Sequence, residues 1–138
     1  FKTYPSDEQL PIFRGFDDLF YMPHSRHTEV RQADIEKVPE LNIIAKSPEA
    51  GVSIVSSRHG RDFYILGHLE YAPNTLDNEY HRDLGKRDDV ALPQHYYRDD
   101  DPERGYKARW RSAANLFYSN WIDYYVYQET PFNISDIK

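Results

Sequence analysis

The sequence predicts a mixed α/β domain, on three observations. Short apolar runs rich in β-branched and aromatic residues occur at 19–22, 41–45, 52–56 and 63–66, each too short for a helix and bounded by turn residues. Two later segments carry apolar residues at helical spacing: Leu76, Tyr80 and Leu84, then a longer series from Trp110 to Tyr125. The length of 138 residues suits one ordinary domain, or a piece of a larger one.

Taken in order, residues 1–18 read as turns, because Pro5, Pro11 and Gly15 interrupt either periodicity. Leu19-Phe20-Tyr21-Met22 reads as a short buried strand that Pro23 ends. Residues 24–32 are polar and follow it directly. Residues 33–38 form a short helical turn stopped by Pro39. Strands at 41–45, 52–56 and 63–66 follow, and the last, apolar throughout, is expected to be the most buried. Arg58-His59-Gly60-Arg61 between the last two is a hairpin loop, so part of the sheet is antiparallel. A helix over 75–85 starts at a cap on Asn74 or Thr75 and ends at Gly85. Residues 86–107 read as a long polar loop with Pro93, Pro102, Gly105 and the acidic run Asp99-Asp100-Asp101. The last helix, over 110–128, places Trp110, Ala113, Ala114, Phe117, Trp121, Tyr124 and Tyr125 on one face, which should pack against protein. Pro131 closes it.

Composition excludes several classes. Twelve Tyr, seven Phe and two Trp are incompatible with a disordered chain. Lys and Arg total 17 against 23 Asp and Glu, a net charge of -6, so neither nucleic acid nor an anionic membrane is the expected partner. No apolar stretch approaches the roughly 18 residues of a membrane-spanning helix. There is no cysteine. A disulfide framework, a thiolate zinc site and a cysteine nucleophile within these residues are therefore excluded, and a cytoplasmic location is compatible. The six His show no HExxH, His24 and His27 lack a helix beneath them, and Asp99–Asp101 lacks the EF-hand glycine, so no metal site is expected.

The sharpest chemical feature is Gly67-His68-Leu69-Glu70-Tyr71, directly after the apolar run 63–66. Ligands of open α/β sheets bind beyond the carboxyl ends of strands. Glycine there permits close backbone approach, and Glu70, two residues on, can fix the His68 tautomer and stabilise its protonated form. The plainer reading is a strand-end histidine bonded to backbone, and spacing alone leaves both open. Pro23-His24-Ser25-Arg26 also follows a strand and could face the same crevice. Arg82 lies off the Leu76–Tyr80–Leu84 stripe, either in solvent or towards a carboxylate ligand.

Several strings together resemble the homoserine O-acyltransferases, the homoserine O-succinyltransferase (transsuccinylase) family of methionine synthesis. They are Phe13-Arg14-Gly15-Phe16-Asp17-Asp18, Pro23-His24-Ser25-Arg26, Gly67-His68-Leu69-Glu70-Tyr71, Asn78-Glu79-Tyr80-His81-Arg82-Asp83, Trp110-Arg111-Ser112, and the run from Asn120 to Gln128. The resemblance spans nearly all 138 residues and corresponds to the C-terminal part of the family's chain. It implies a class-I glutamine-amidotransferase-like (flavodoxin-like) mixed sheet with flanking helices and a Cys-His-Glu triad. It also implies transfer of an acetyl or succinyl group from coenzyme A to a cysteine, then to the homoserine hydroxyl, with no further cofactor.

By that resemblance His68 is the general base, Glu70 its partner, Ser25 a substrate-binding and specificity position, and Arg82 the holder of the amino acid's carboxylate. The nucleophile and a substrate-binding Lys would lie upstream of Phe1, so this chain is expected to be half of one acyltransferase domain. It should be inactive alone, partnered by that upstream part and by a second copy in a homodimer. Leu69 stands where the family usually has Pro, which should relax the loop. The alternatives are a serine acyltransferase of the same family, a glutamine amidotransferase-like hydrolase sharing His-x-Glu, and a non-catalytic interaction module.

Overall fold

The structure is a computed structural model that describes residues 1–128, 131 and 133–136. Its frame is a five-stranded sheet of order β2-β1-β3-β4-β5, with β1 at Lys2–Pro5, β2 at Phe20–Tyr21, β3 at Leu41–Ser47, β4 at Gly51–Ser57 and β5 at Phe63–Ile65. Every pairing among the described residues is antiparallel, where a mixed sheet was expected. β1 corrects the reading of residues 1–18 as turns. Its first half pairs with β2 (Lys2 opposite Tyr21) and its second with β3 (Tyr4 opposite Lys46). Four residues that bridge two neighbours are too few to show a period of two, which is why sequence pattern missed them.

β3 and β4 form the long hairpin at the centre, through Gly51 at φ +69°. β4 is buried at every position from Val52 to Ser57, because both its faces are covered. Ile54 faces a core built from Ile12, Phe13, Phe20, Met22, Ile44, Leu69 and Phe117. Val52 and Val55 face a smaller cluster with Ile35, from the single helical turn α1 at Gln32–Ile35. β5 is not the most buried strand. It lies at the sheet edge, its residues are half-buried, and Tyr64 is 49% exposed. An apolar run reports hydrophobicity but not how many neighbours a strand has.

The expected helix over 75–85 is α2 at Thr75–Leu84. No side chain caps it, and its Leu76 and Tyr80 pack half-buried against the third cluster, formed by Tyr96, Tyr97 and Trp110. Residues 86–107 are not all loop. β6 at Tyr97–Arg98 and β7 at Asp101–Tyr106 form a hairpin whose turn residues Asp99 and Asp100 stand at φ +53° and +55°. Two consecutive positive φ angles suit a tight hairpin turn, and Asp tolerates them better than most residues.

α3 at Arg111–Trp121 lies on the main core through Ala113, Ala114 and Phe117, and a π-helical segment continues it over Ile122–Tyr127. The expected stripe packs only in part: Trp121 is 39% exposed, while Asn120 is buried. The Asn120 side-chain amide donates to the carbonyls of Ile12 (3.0 Å) and Arg14 (2.9 Å), satisfying a turn that apolar contact could not.

Candidate active site

β2 and β5 are the two outer strands of the sheet, yet the segments that leave them touch. The His68 amide donates to the Pro23 carbonyl at 2.8 Å. Gly67 is buried so tightly against Met22 and Pro23 that a Cβ there would meet three of their atoms within 3.0 Å. Strand twist accumulated across the sheet curls it until its edges approach. His68 and the 24–26 segment therefore share one place, reached from opposite edges of the sheet.

Beyond Gly67 the chain alternates. Leu69 is 2% exposed and sits in the main core, while His68 and Glu70 on either side point outward. Leu69 therefore anchors this loop in the core. The outward pair meets: His68 Nδ1 lies 2.8 Å from Glu70 Oε1. A carboxylate at Nδ1 accepts its N–H and leaves Nε2 with the free lone pair, the arrangement of an oriented general base. The Tyr71 ring stacks on the imidazole, with centroids 4.2 Å apart and planes 16° from parallel.

Ser25 and Arg82 share one cleft of about 470 Å³ with His24, Arg26, Glu79 and Tyr80. Tyr71 connects that cleft to His68. Its hydroxyl donates to Glu79 Oε1 at 2.8 Å and has the Ser25 hydroxyl beside it. Burial, reinforced by the Glu79 carboxylate, pushes the Tyr71 hydroxyl up to about 12, so it stays a donor. Arg82 is exposed, and its fork is held by Asp83, with Nε 2.8 Å from Oδ1 and Nη2 3.1 Å from Oδ2. That pairing raises the guanidinium and lowers Asp83.

A family model described as homoserine O-succinyltransferase matches residues 1–132. The chain belongs to the homoserine O-succinyltransferase family. It is 60% identical over 127 residues to a homoserine O-acetyltransferase of Bacteroides thetaiotaomicron, covering 92% of this chain and 42% of the relative. The homoserine O-acetyltransferase of Phocaeicola vulgatus is 54% identical over all 138 residues, 45% of its own length. That of Brevibacillus brevis is 53% identical over 131 residues, covering 95% of this chain and 43% of the relative. The chain thus spans under half the length of these relatives.

In this member of the homoserine O-succinyltransferase family, Glu79 and Tyr71 were not singled out by sequence reasoning, and His24 entered it only as part of a polar segment. Glu79 carries a buried Oε2 with no hydrogen-bond partner among the described residues. His24 has both ring nitrogens buried and unpartnered, and burial, then the nearby Arg26 charge, lowers it to about 4. Tyr71 touches His68, Glu79 and Ser25. The string Glu79-Tyr80-His81-Arg82 offered one clue, since Glu79 and Arg82 at i, i+3 share a helix face. Among the described residues no group of three or more His, Asp or Glu could hold a metal ion, and no helix is long and apolar enough to cross a membrane.

Proposed function

We propose that this chain supplies the general base and the acceptor pocket of a cytoplasmic homoserine O-acyltransferase of methionine biosynthesis. The acyl donor is acetyl-coenzyme A, a choice supported by the names of the relatives described above. The observation that carries the reading is the His68–Glu70 pair, 2.8 Å apart, beside a cleft with both an anionic and a cationic side chain, as a zwitterionic amino acid requires.

The chemistry runs in two transfers. A cysteine thiolate attacks the thioester carbonyl and expels coenzyme A as its thiol, taking a proton from His68. The acceptor hydroxyl then gives its proton to His68 Nε2 and attacks the acyl-cysteine carbonyl, releasing the thiolate. Glu70 holds the tautomer. Arg82 exchanges Asp83 for the acceptor carboxylate, with a planar fork that suits either. The unpartnered Glu79 oxygen takes the ammonium group, and Ser25 lines the pocket between them. Since the 138 residues contain no cysteine, the thiolate comes from the part of the family's chain that this one does not cover. The complete domain is glutamine-amidotransferase-like and pairs as a homodimer.

Two variants of the full-length protein test the reading. His68→Ala should lower turnover by roughly 10²–10⁴. Arg82→Ala should raise KM for homoserine while acyl-enzyme formation survives. Near-normal turnover by His68→Ala refutes the base, and unchanged homoserine kinetics in Arg82→Ala removes Arg82 from the site. Residues 1–138 expressed alone should release no coenzyme A thiol above background with homoserine or serine.

A further inference from the structure

We propose that Tyr71 is the positioning residue that couples the acceptor cleft to the His68 base, its ring setting the imidazole plane and its hydroxyl setting the Glu79 carboxylate. The inference rests on the acyltransferase reading above. The Tyr71 backbone is fixed on both sides. The Tyr71 amide donates to the His68 carbonyl at 3.2 Å, and the Trp110 indole N–H donates to the Tyr71 carbonyl at 2.9 Å. The residue packs against the cluster of Tyr96, Tyr97 and Trp110, against which Leu76 and Tyr80 of α2 also pack. Backbone hydrogen bonds and this packing hold the ring between its two working ends.

Each end touches a different half of the reaction. The ring face lies on His68, at 4.2 Å between centroids. Glu70 restrains Nδ1 but leaves the imidazole free to swing about that one contact, and a parallel ring removes this freedom. An aromatic face also favours the protonated imidazole that forms as the acceptor loses its proton. The hydroxyl donates to Glu79 Oε1, which leaves Oε2 as the one unpartnered oxygen of that carboxylate. Because the same rigid ring carries both contacts, the separation between the ammonium subsite and the base is set by Tyr71 itself. A hydroxyl must arrive close to the base to react, and small misplacements cost large factors in rate.

The two contacts can be removed separately. In the full-length protein, Tyr71→Phe keeps the stack and loses the Glu79 bond. It should raise the acceptor KM roughly tenfold, leaving the acyl-coenzyme A KM in place. Tyr71→Leu loses both, and kcat should fall a further tenfold or more. A purely structural role would lower active protein without splitting KM from kcat. Circular dichroism checks folding. Should Tyr71→Leu fail to fold, Tyr71→Phe decides alone, since an unchanged acceptor KM there overturns the proposal. A folded Tyr71→Leu with unchanged kcat overturns it too. The His68→Ala protein, assayed beside them, separates the two readings. If it is inactive and the Tyr71 variants are normal, only this proposal fails; if it is active, the base assignment fails.

Discussion

Replacing Gly67 by Ala probes how the site loop is seated. A Cβ at this position would stand 2.8 Å from the Pro23 carbonyl oxygen and 2.7 Å from Met22 Cγ, where ordinary contact begins at 3.4 Å. Two effects oppose each other. The φ of Gly67 lies outside the left-handed region, so Ala would stabilise by about 0.4–1 kcal/mol through a stiffer unfolded chain. Overpacking costs about 1–3 kcal/mol, and neither neighbour yields easily here. Met22 is fully buried in the main core, and the Pro23 carbonyl is backbone already bonded to the His68 amide. The clash should win by roughly 1–2 kcal/mol, a fall in Tm of about 2–3 °C in the full-length protein. His68 is displaced with its amide, so acyl transfer should drop by more than the loss of folded protein. Gly85→Ala is the control. Its Cβ meets only the Arg82 carbonyl at 3.7 Å, with φ at -75°, and should be neutral or mildly stabilising. Thermal and urea unfolding followed by circular dichroism measure both. A Gly67→Ala Tm equal to or above the unaltered value refutes this account of the contact.

Three further outcomes are expected. Asn120→Leu leaves the Ile12 and Arg14 carbonyls without their buried donor and should cost about 2 kcal/mol in urea unfolding; an unchanged midpoint would mean water replaces the amide. His24 titrates near 4 when folded against 6.5 when free, so the unfolded chain takes up the proton first and stability should fall as pH drops from about 6.5 to about 4. With His24 only partly buried, the loss is roughly 1–2 kcal/mol after allowing for solvent screening, and His24→Phe should flatten it. A His24→Phe protein with the same pH slope assigns that slope elsewhere. Glu70→Gln, at an exposed side chain, should leave Tm within about 2 °C while lowering turnover by at least roughly 10²-fold, because an amide no longer selects the productive tautomer. Unaltered turnover would show that Glu70 does not orient His68.

What the sequence determined by itself is local. Alternation and apolar runs located β2 to β5, and the Leu76–Tyr80 spacing located α2, because each rests on a period read within ten residues. His68 and Glu70, two apart, already offered a carboxylate able to fix the imidazole tautomer, while the inward Leu69 between them came only from the structure. The buried reading of β5 failed because hydrophobicity does not reveal an edge. The hairpin at 97–106 was missed because its signal lay in two aspartates at positive φ, not in an apolar pattern. Only the tertiary structure decided which of these residues meet. Ser25, His68, Tyr71 and Glu79 meet because the sheet curls until β2 and β5, its opposite edges, deliver their exits to one point. That closure depends on strand pairing and accumulated twist across the whole sheet, and on a glycine that lets Met22 and Pro23 come close. No period in the chain encodes such long-range packing.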